Sequence, residues 1–272
     1  MQIAVIVSSQ DPAGLNIRER LVESLVEPGP GAEGEFEGSP VYRISENALL
    51  YTTNTDSIFC EHIDQRITAD LIIFATRHKS EAGIPSLSVH APGNWAAAEY
   101  GGEDRKLCVA PALYLRTALL KLIEKGAGTG YDVVQECTHH GPYVEKPCMF
   151  IEIGSSERQW SDPKAGRIIA DTIAELVSCP PEGAEVAFGI GGLHTTPNFR
   201  KVMLKEKIAF GHVCPKYMLE HLSREMIEQA LVRSTEPAEI VILDWKGLKT
   251  EKARIVQLLE LMKIKNKKTK DC

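Results

Sequence analysis

Six of the eight histidines stand just beyond stretches that read as β-strands: His78 after LIIFATR, His90 after SLSV, His139 and His140 after VVQECT, His194 after VAFGIGGL and His212 after KIAFG. One histidine in such a position is ordinarily a surface or capping residue. Six are harder to set aside, because the strands of a mainly parallel sheet deliver their carboxyl ends to one rim, where loops are free to carry polar groups. The expectation is that imidazoles far apart in sequence meet in one site. Clustered imidazoles serve two purposes: neutral rings bind zinc or a similar metal, and rings titrating near neutrality move protons.

Carboxylates should accompany either role. Glu81 lies three residues after His78, Glu136 stands just before Thr138-His139-His140-Gly141-Pro142, and Glu152 interrupts the apolar strand MFIEIGSS, where an inward carboxylate needs a partner. Neighbours on a strand point to opposite faces, but the Gly-Pro turn directly after His140 frees that ring, so both histidines can reach one cavity. The alternative is one core histidine and one solvent histidine. Gly189-Ile190-Gly191-Gly192-Leu193-His194-Thr195-Thr196-Pro197 brings backbone amides and hydroxyls near His194, with a plain tight turn as the competing reading. It lacks the G-x-G-x-x-G spacing of a dinucleotide loop. Asn94 and Trp95, in the Pro-punctuated stretch around His90, are available to hold a base or an amide, and structural turns explain them equally well. Ser155 and Ser156 do not sit in a G-x-S-x-G elbow, so a serine nucleophile is not expected.

The elements that must position these groups alternate short apolar runs with amphipathic stretches, the pattern of an α/β fold with a central mixed, largely parallel sheet flanked by helices. QIAVIVSS is nearly all apolar and β-branched, as a strand covered on both faces should be, and Leu15, Arg18, Leu21, Val22 and Leu25 follow at helical spacing. Further strands are predicted in VYRIS, ALLYTT, ADLIIFATRH, SLSVHA, YDVVQECTHH, MFIEIGSS, EVAFGIGG, KIAFGH and EIVILDW. The clearest helices are 112–125, 164–178, 223–233 and 250–265, with Asp162-Pro163 as a cap and first turn. Residues 28–40 are rich in Gly, Pro and Glu and read as a mobile surface loop.

Length and composition bound the rest. The 272 residues, 43% hydrophobic and 25% charged, suffice for one globular domain spanning 1–272, with two interlocked halves as the alternative. No apolar run approaches the roughly 20 residues of a membrane helix and the opening lacks a secretory signal, so a cytoplasmic protein is expected. The seven cysteines contain no C-x-x-C pair and read as reduced thiols. A net charge of −6 argues against sequence-blind affinity for DNA or long nucleic acid. The basic tail at 263–272 (Lys263, Lys265, Lys267, Lys268, Lys270) either lies along a phosphate backbone or is a frayed, solvated terminus.

With these residues in view, the chain resembles the archaeal and plant type of D-aminoacyl-tRNA deacylase over nearly its whole length. The resemblance rests on MQIAVIVSSQDPAG, ATRHKSEAGIPSLSVHAPGNW, ECTHHGPY, FIEIGSSERQW, GIGGLHTTPNF and FGHVCPKY, in that order. It implies a fold similar to phosphorylases and peptidyl-tRNA hydrolases, hydrolysis of the ester joining a D-amino acid to the 3′ end of tRNA, action on N-ethyl adducts of the same substrates, and association with Zn2+. The matching motifs nominate His78, Lys79, His90, Asn94, His139, His140, Glu152, His194 and His212. The expected assignment makes His90, His139, His194 and Glu152 metal ligands. His140 is then the general base or acid, with His139 and His78 also catalytic, and Lys79 or the Gly191-Gly192 amides face the oxyanion. Asn94, Trp95, Thr195 and His212 would line the substrate, the acceptor end of a D-aminoacyl-tRNA bound to a monomer. The competing readings are peptidyl-tRNA hydrolysis, nucleoside phosphorolysis and a non-catalytic RNA-binding protein.

Overall fold

Strands covered on both faces need near-continuous apolar sequence, and the chain supplies it three times in its first 155 residues: β1 (Ile3–Ser8) and the later strands over Leu71–Lys79 and Cys148–Ser155. The computed structural model describes residues 1–24 and 33–272. After β1 come α1 (Pro12–Glu23), a hairpin of β2 (Glu35–Phe36) and β3 (Ser39–Pro40), then β4 (Tyr42–Ser45), β5 (Ala48–Thr53), β6 (Leu71–Lys79) and β7 (Ser86–His90). The chain continues through α2 (Ala112–Gly126), β8 (Asp132–Gln135), β9 (Cys148–Ser155), α3 (Glu157–Trp160), α4 (Pro163–Ser178) and β10 (Glu185–Ile190). It finishes with α5 (Pro197–Lys205), β11 (Ile208–Cys214), α6 (Arg224–Val232), β12 (Ile240–Leu243), α7 (Lys252–Leu261) and β13 (Asn266–Lys268).

Seven strands form the main sheet in the order β4-β5-β1-β6-β9-β7-β8, and four parallel strands form a second in the order β11-β10-β12-β13. The predicted α/β class and mixed, largely parallel sheet are what the structure contains. In the main sheet β5, β1, β6 and β9 run parallel, while β4 and the pair β7–β8 run against them. One face buries Ile73, Ala75, Leu87, Val89, Ile151 and Ile153 against α1, α2 and α4, in an apolar cluster that continues into β10 and β11 of the second sheet.

Caps fix two of these helices. Asp11 accepts from the Ala13 and Gly14 amides with Pro12 opening α1, and Asp162 accepts from the Lys164 amide with Pro163 opening α4. Three expectations are corrected. Of the predicted mobile loop at 28–40, residues 28–32 lie outside the described residues, as does Leu25; residues 33–40 are a tight hairpin. Glu37 and Gly38, at φ +51° and +78°, make its two-residue turn, and the Glu37 carboxylate accepts from the Asn54 amide at 2.6 Å and the Thr53 hydroxyl at 2.9 Å. The helix predicted over 250–265 ends at Leu261, because Lys263 turns left-handed at φ +56°. The basic tail is then not frayed: 266–268 pair with β12 as an edge strand, and Cys272 is buried.

Candidate active site

Pleating decides which side chains of the main sheet meet. In the register of β6, β9 and β7, Thr76 pairs with Glu152 and Glu152 with Ser88, while Gly154 pairs with His78 and Phe150 with His90. These residues therefore share the face opposite α1, α2 and α4. Lower on that face lie Ile72, Phe74, Cys148 and Phe150, the floor of a smaller apolar cluster. Apolar packing gives way to polar groups one pleat higher, at Glu152.

Glu152 is buried and surrounded. Its carboxylate accepts from the Thr76 hydroxyl at 3.2 Å and the Ser88 hydroxyl at 3.1 Å, with His78 Nδ1 at 3.5 Å and His90 Nε2 at 3.6 Å. Glu136, just past the end of β8, is a second buried carboxylate. His194 Nε2 donates to its Oε2 at 2.9 Å, His139 Nε2 lies 3.6 Å from the same oxygen, and His78 Nδ1 lies 3.3 Å from Oε1. His78 thus stands between the two carboxylates. His194 comes from the second sheet, on the turn after β10, where its Nδ1 meets the Tyr217 hydroxyl at 3.0 Å and the Cys137 thiol at 3.4 Å.

The five imidazoles of His78, His90, His139, His140 and His194 consequently form one group, with successive ring centroids 4.2 to 6.0 Å apart. Convergence was the central expectation, and it holds for these five. Its cause differs from the one inferred. A common rim of parallel strand ends was expected, but β7 and β8 run against β6 and β9, so His90 and His139–His140 arrive from the opposite direction and meet His78 across Glu152. Both His139 and His140 reach the group; His140 does so through a left-handed backbone at φ +44°, ahead of Gly141-Pro142.

Electrostatics sort the rings into two kinds. Burial opposes charge on His78, but the hydrogen bond to Glu152 and the nearby Glu136 outweigh it and raise its pKa to about 8. His194 is also raised, burial being outweighed by its bonds to Cys137 and Glu136. Burial and the adjacent His90 ring push His139 well below the usual histidine range and His140 down to about 4. Both carboxylates stay ionised despite burial: His90 and His78 lower Glu152, and the His194 bond lowers Glu136. At neutral pH two anions face two cationic rings, beside a pair of neutral ones.

Hydrogen bonding fixes the tautomers of three rings. Nδ1–H donates to a backbone carbonyl in His90 (Ala91, 3.2 Å), in His139 (Cys137, 2.9 Å) and in His140 (Gly141, 2.6 Å), leaving Nε2 of the neutral His139 and His140 rings with a lone pair. His90 Nε2 and Glu136 Oε1 are buried without a hydrogen-bond partner among the described residues. Buried polar atoms without a hydrogen-bond partner are costly unless a cation or water is shared, and imidazoles oriented by carbonyls suit a zinc ion. The donor set fits zinc. Ligand atoms lie within 4.8 Å of one another in four trios: His90, His139 and His140; Cys137, His139 and His194; His78, Glu136 and His194; and His90, Glu136 and Glu152. The expected quartet of His90, His139, His194 and Glu152 is distributed over these trios and gathered in none of them.

His78, His139, His140, His194 and Glu152 of this group form the floor of a cavity of about 1160 Å3, with His90 and Glu136 buried beneath them, and its walls include Asp56, Tyr100, Arg105, Met218 and the exposed Lys79. Four other expectations are corrected. His212 is fully buried away from the cavity: Nε2–H donates to the Arg233 and Cys108 carbonyls at 2.8 and 3.1 Å, and Nδ1 accepts from Thr138 at 3.0 Å. Trp95 lies in the wall with its ring stacked on Phe188 and its N–H donated to the Thr138 carbonyl at 2.9 Å, so neither ring nor donor is free for a base. Gly191 N–H is bonded to the Cys214 carbonyl at 2.8 Å and the Gly191-Gly192 turn packs on Asp244, which removes it as an oxyanion hole. Thr195 is exposed and off the cavity wall. Asn94 does line the cavity, its amide nitrogen spent on the Gly101 carbonyl at 2.9 Å.

Glu136, expected beside the site but in no particular role, holds three histidines. Cys137 and Tyr217, which carried no signal in the sequence, hold His194. The signal for Glu136 was available: its N–H continues the ladder to the Val89 carbonyl at 2.9 Å, so it is one more strand residue, inward like Glu152.

Imidazoles and carboxylates of fixed protonation, gathered under a cavity at the junction of two sheets, define an α/β protein built for acid–base or metal-assisted attack on a small polar group. The family model for D-aminoacyl-tRNA deacylase matches residues 65–267, and the chain belongs to that family. It is 39% identical to the D-aminoacyl-tRNA deacylase of Pyrococcus furiosus over 262 residues, covering 94% of this chain and 95% of that one. With the enzyme of the same name from Archaeoglobus fulgidus it shares 31% identity over 258 residues, 93% and 90% of the two chains. A crystal structure described as a conserved protein of unknown function superposes with a TM-score of 0.88 at 31% identity, covering 99% of this chain and 96% of that one.

Proposed function

We propose that the chain hydrolyses the ester of D-aminoacyl-tRNA at the floor of the histidine cavity, releasing the D-amino acid and tRNA. The observation that carries this reading is the arrangement of neutral rings beside protonated ones around two ionised carboxylates, in a member of a family named for that activity. Ester hydrolysis needs a base for the attacking water and an acid for the departing ribose oxygen. His139 and His140, neutral at pH 7, are placed to take the proton of water. His78, with a pKa of about 8, holds a proton at neutral pH close to the operating range and is the fitting acid. Glu136 and Glu152 keep it charged and oriented, and His194 fixes Glu136 from the second sheet. Lys79, exposed on the cavity wall, supplies positive charge toward the oxyanion or the terminal phosphate.

Zinc belongs to this reading. His90, Glu136 and Glu152 would hold it, leaving Nε2 of His139 and His140 for the proton of water, and when bound it polarises the ester carbonyl and lowers the pKa of water toward 7. The cavity, at about 1160 Å3, has the capacity for a terminal adenosine and its amino acid together. Chirality is then read by where the side chain of the acyl group is directed relative to the floor.

The test is release of D-tyrosine from charged tRNA beside the L-isomer, with and without chelator. The D-ester should be cleaved at least tenfold faster than the L-ester, and chelation should suppress it. Equal rates on both isomers would refute the selectivity, and no cleavage of either would refute the reading.

A further inference from the structure

We infer that the folded C-terminal segment, residues 244–272, is a docking surface for the phosphate backbone of RNA, continuous with the rim of the histidine cavity; the inference rests on the deacylase reading for the identity of the RNA. Four observations carry it. The first is composition: this segment has nine basic and four acidic side chains in a chain whose net charge is −6, so positive charge is concentrated here against the overall balance.

The second is placement. β13 is parallel to β12, with Lys268 level with Leu243, and β12 is parallel to β10, with Leu243 level with Ile190. Lys268 therefore reaches the same edge of the second sheet as the turn that carries His194. Asp244 ties that edge together: its N–H donates to the Ile190 carbonyl at 2.9 Å, and its carboxylate accepts from Asn198 at 2.9 Å, beside the Gly191-Gly192 turn. A strand of RNA whose 3′ end enters the cavity past His194 has this edge to follow.

The third is that the charge is unspent. Arg254 is committed to Glu251 at 2.6 Å and to the Leu222 carbonyl at 2.8 Å. The eight lysines of the segment (246, 249, 252, 263, 265, 267, 268 and 270) make no ion pair among the described residues. Elsewhere lysines do pair: Lys121 and Lys125 both reach Glu175, at 2.6 and 2.5 Å. The fourth is order. Lys252 and Lys268 place their ammonium groups 4.6 and 4.1 Å from the Trp245 ring centroid, the Val241 N–H donates to the Lys265 carbonyl at 2.9 Å, and Cys272 is buried. A pre-ordered strip loses less entropy on binding than a loose tail would.

The experiment uses the full chain carrying Lys249→Glu, Lys265→Glu and Lys270→Glu, three exposed lysines whose ammonium groups make no hydrogen bond or ion pair among the described residues. Binding is read by anisotropy of labelled, uncharged tRNA, which reports on the surface whether or not an ester is cleaved. The triple variant should bind on the order of tenfold more weakly at 0.1 M salt, with a log–log salt slope shallower by about 2 to 3. On D-tyrosyl-tRNA its KM should rise with kcat unchanged, and on D-tyrosyl-adenosine, which has no backbone to dock, it should match the parent. Unaltered tRNA affinity and salt slope, or parent protein that prefers anionic lipid vesicles to tRNA, overturns the inference. Lysine-dependent tRNA binding without cleavage of either ester would sink the deacylase reading and leave the surface standing.

Discussion

The cavity floor and the packed wall behind it are both built from buried histidine, yet they treat the ring in opposite ways. His212 has every nitrogen satisfied, by two carbonyls and a hydroxyl, and is locked as part of the core. His90, His139 and His140 have one nitrogen tied to a carbonyl and the other left bare, facing like atoms. Burial alone does not separate them, because burial lowers the pKa of His140 and His212 alike to about 4. The separating feature is the ring nitrogen without a hydrogen-bond partner, which is costly to bury and is available to a ligand. A working histidine is recognised by what it lacks.

The comparison is broken most directly at the floor. His139→Ala and Glu136→Gln should each lower kcat/KM on D-tyrosyl-tRNA by about 10²–10⁴-fold, an effect on turnover larger than that on melting temperature, since each removes a group that meets its neighbours at the floor. Near-normal turnover in both would transfer catalysis from side chains to the ribose hydroxyl of the substrate. Removal of metal comes next. Dialysis against chelator should cost tenfold or more in activity, restored by zinc, and cobalt should give a visible ligand-field band that His90→Ala abolishes. Absence of that band with the parent protein removes the trio as a metal site. At the wall the effect changes kind: His212→Ala should cost about 2–4 kcal/mol of stability by orphaning the Thr138 hydroxyl and two carbonyls, while kcat of the folded fraction stays at the parent value. A loss of kcat without loss of stability would put His212 back among the functional residues.

Much of this contrast was invisible in the sequence for a definite reason. Apolar runs and the Asp162-Pro163 cap disclosed the strands and α4, because those signals are local. The six post-strand histidines disclosed a site, and five of them meet. Separating His212 from the rest required knowing that Thr138 and the Arg233 carbonyl lie beside it, 74 and 21 residues away. The reversal of β7 and β8 had no signature either, since a buried strand reads the same in both directions. Gly191-Gly192 looked like an amide cradle because glycine permits close approach; here what approaches is Asp244, and the positive φ of both glycines serves that turn. The hairpin at 33–40 was hidden by its composition, as Glu and Gly suggest disorder until the Glu37 carboxylate finds its partners on β5 and beyond.

The smallest expected effect sharpens the comparison by pH. His212 titrates near 4 in the folded state and near 6.5 when unfolded, so between those values the unfolded chain binds more protons. Stability should therefore fall as pH drops from about 6.5 toward 4, by about 1.4 kcal/mol per pH unit for this one group. His139 and His140, also lowered, add slope of the same sign. His78 works in reverse: its folded pKa of about 8 contributes stability that is complete below about 6.5 and lost as pH rises through 8. His212→Gln keeps a donor for the carbonyls and an acceptor for Thr138 while removing the titration, so its acid-side slope should be shallower by about one proton. Melting temperatures of the metal-free parent, His212→Gln and His78→Gln from pH 4 to 9 measure both slopes. Superimposable acid limbs for parent and His212→Gln would mean that folding does not hold the wall histidine below its unfolded pKa, a state that its two carbonyl partners could accept only if Thr138 turned its hydroxyl away from Nδ1.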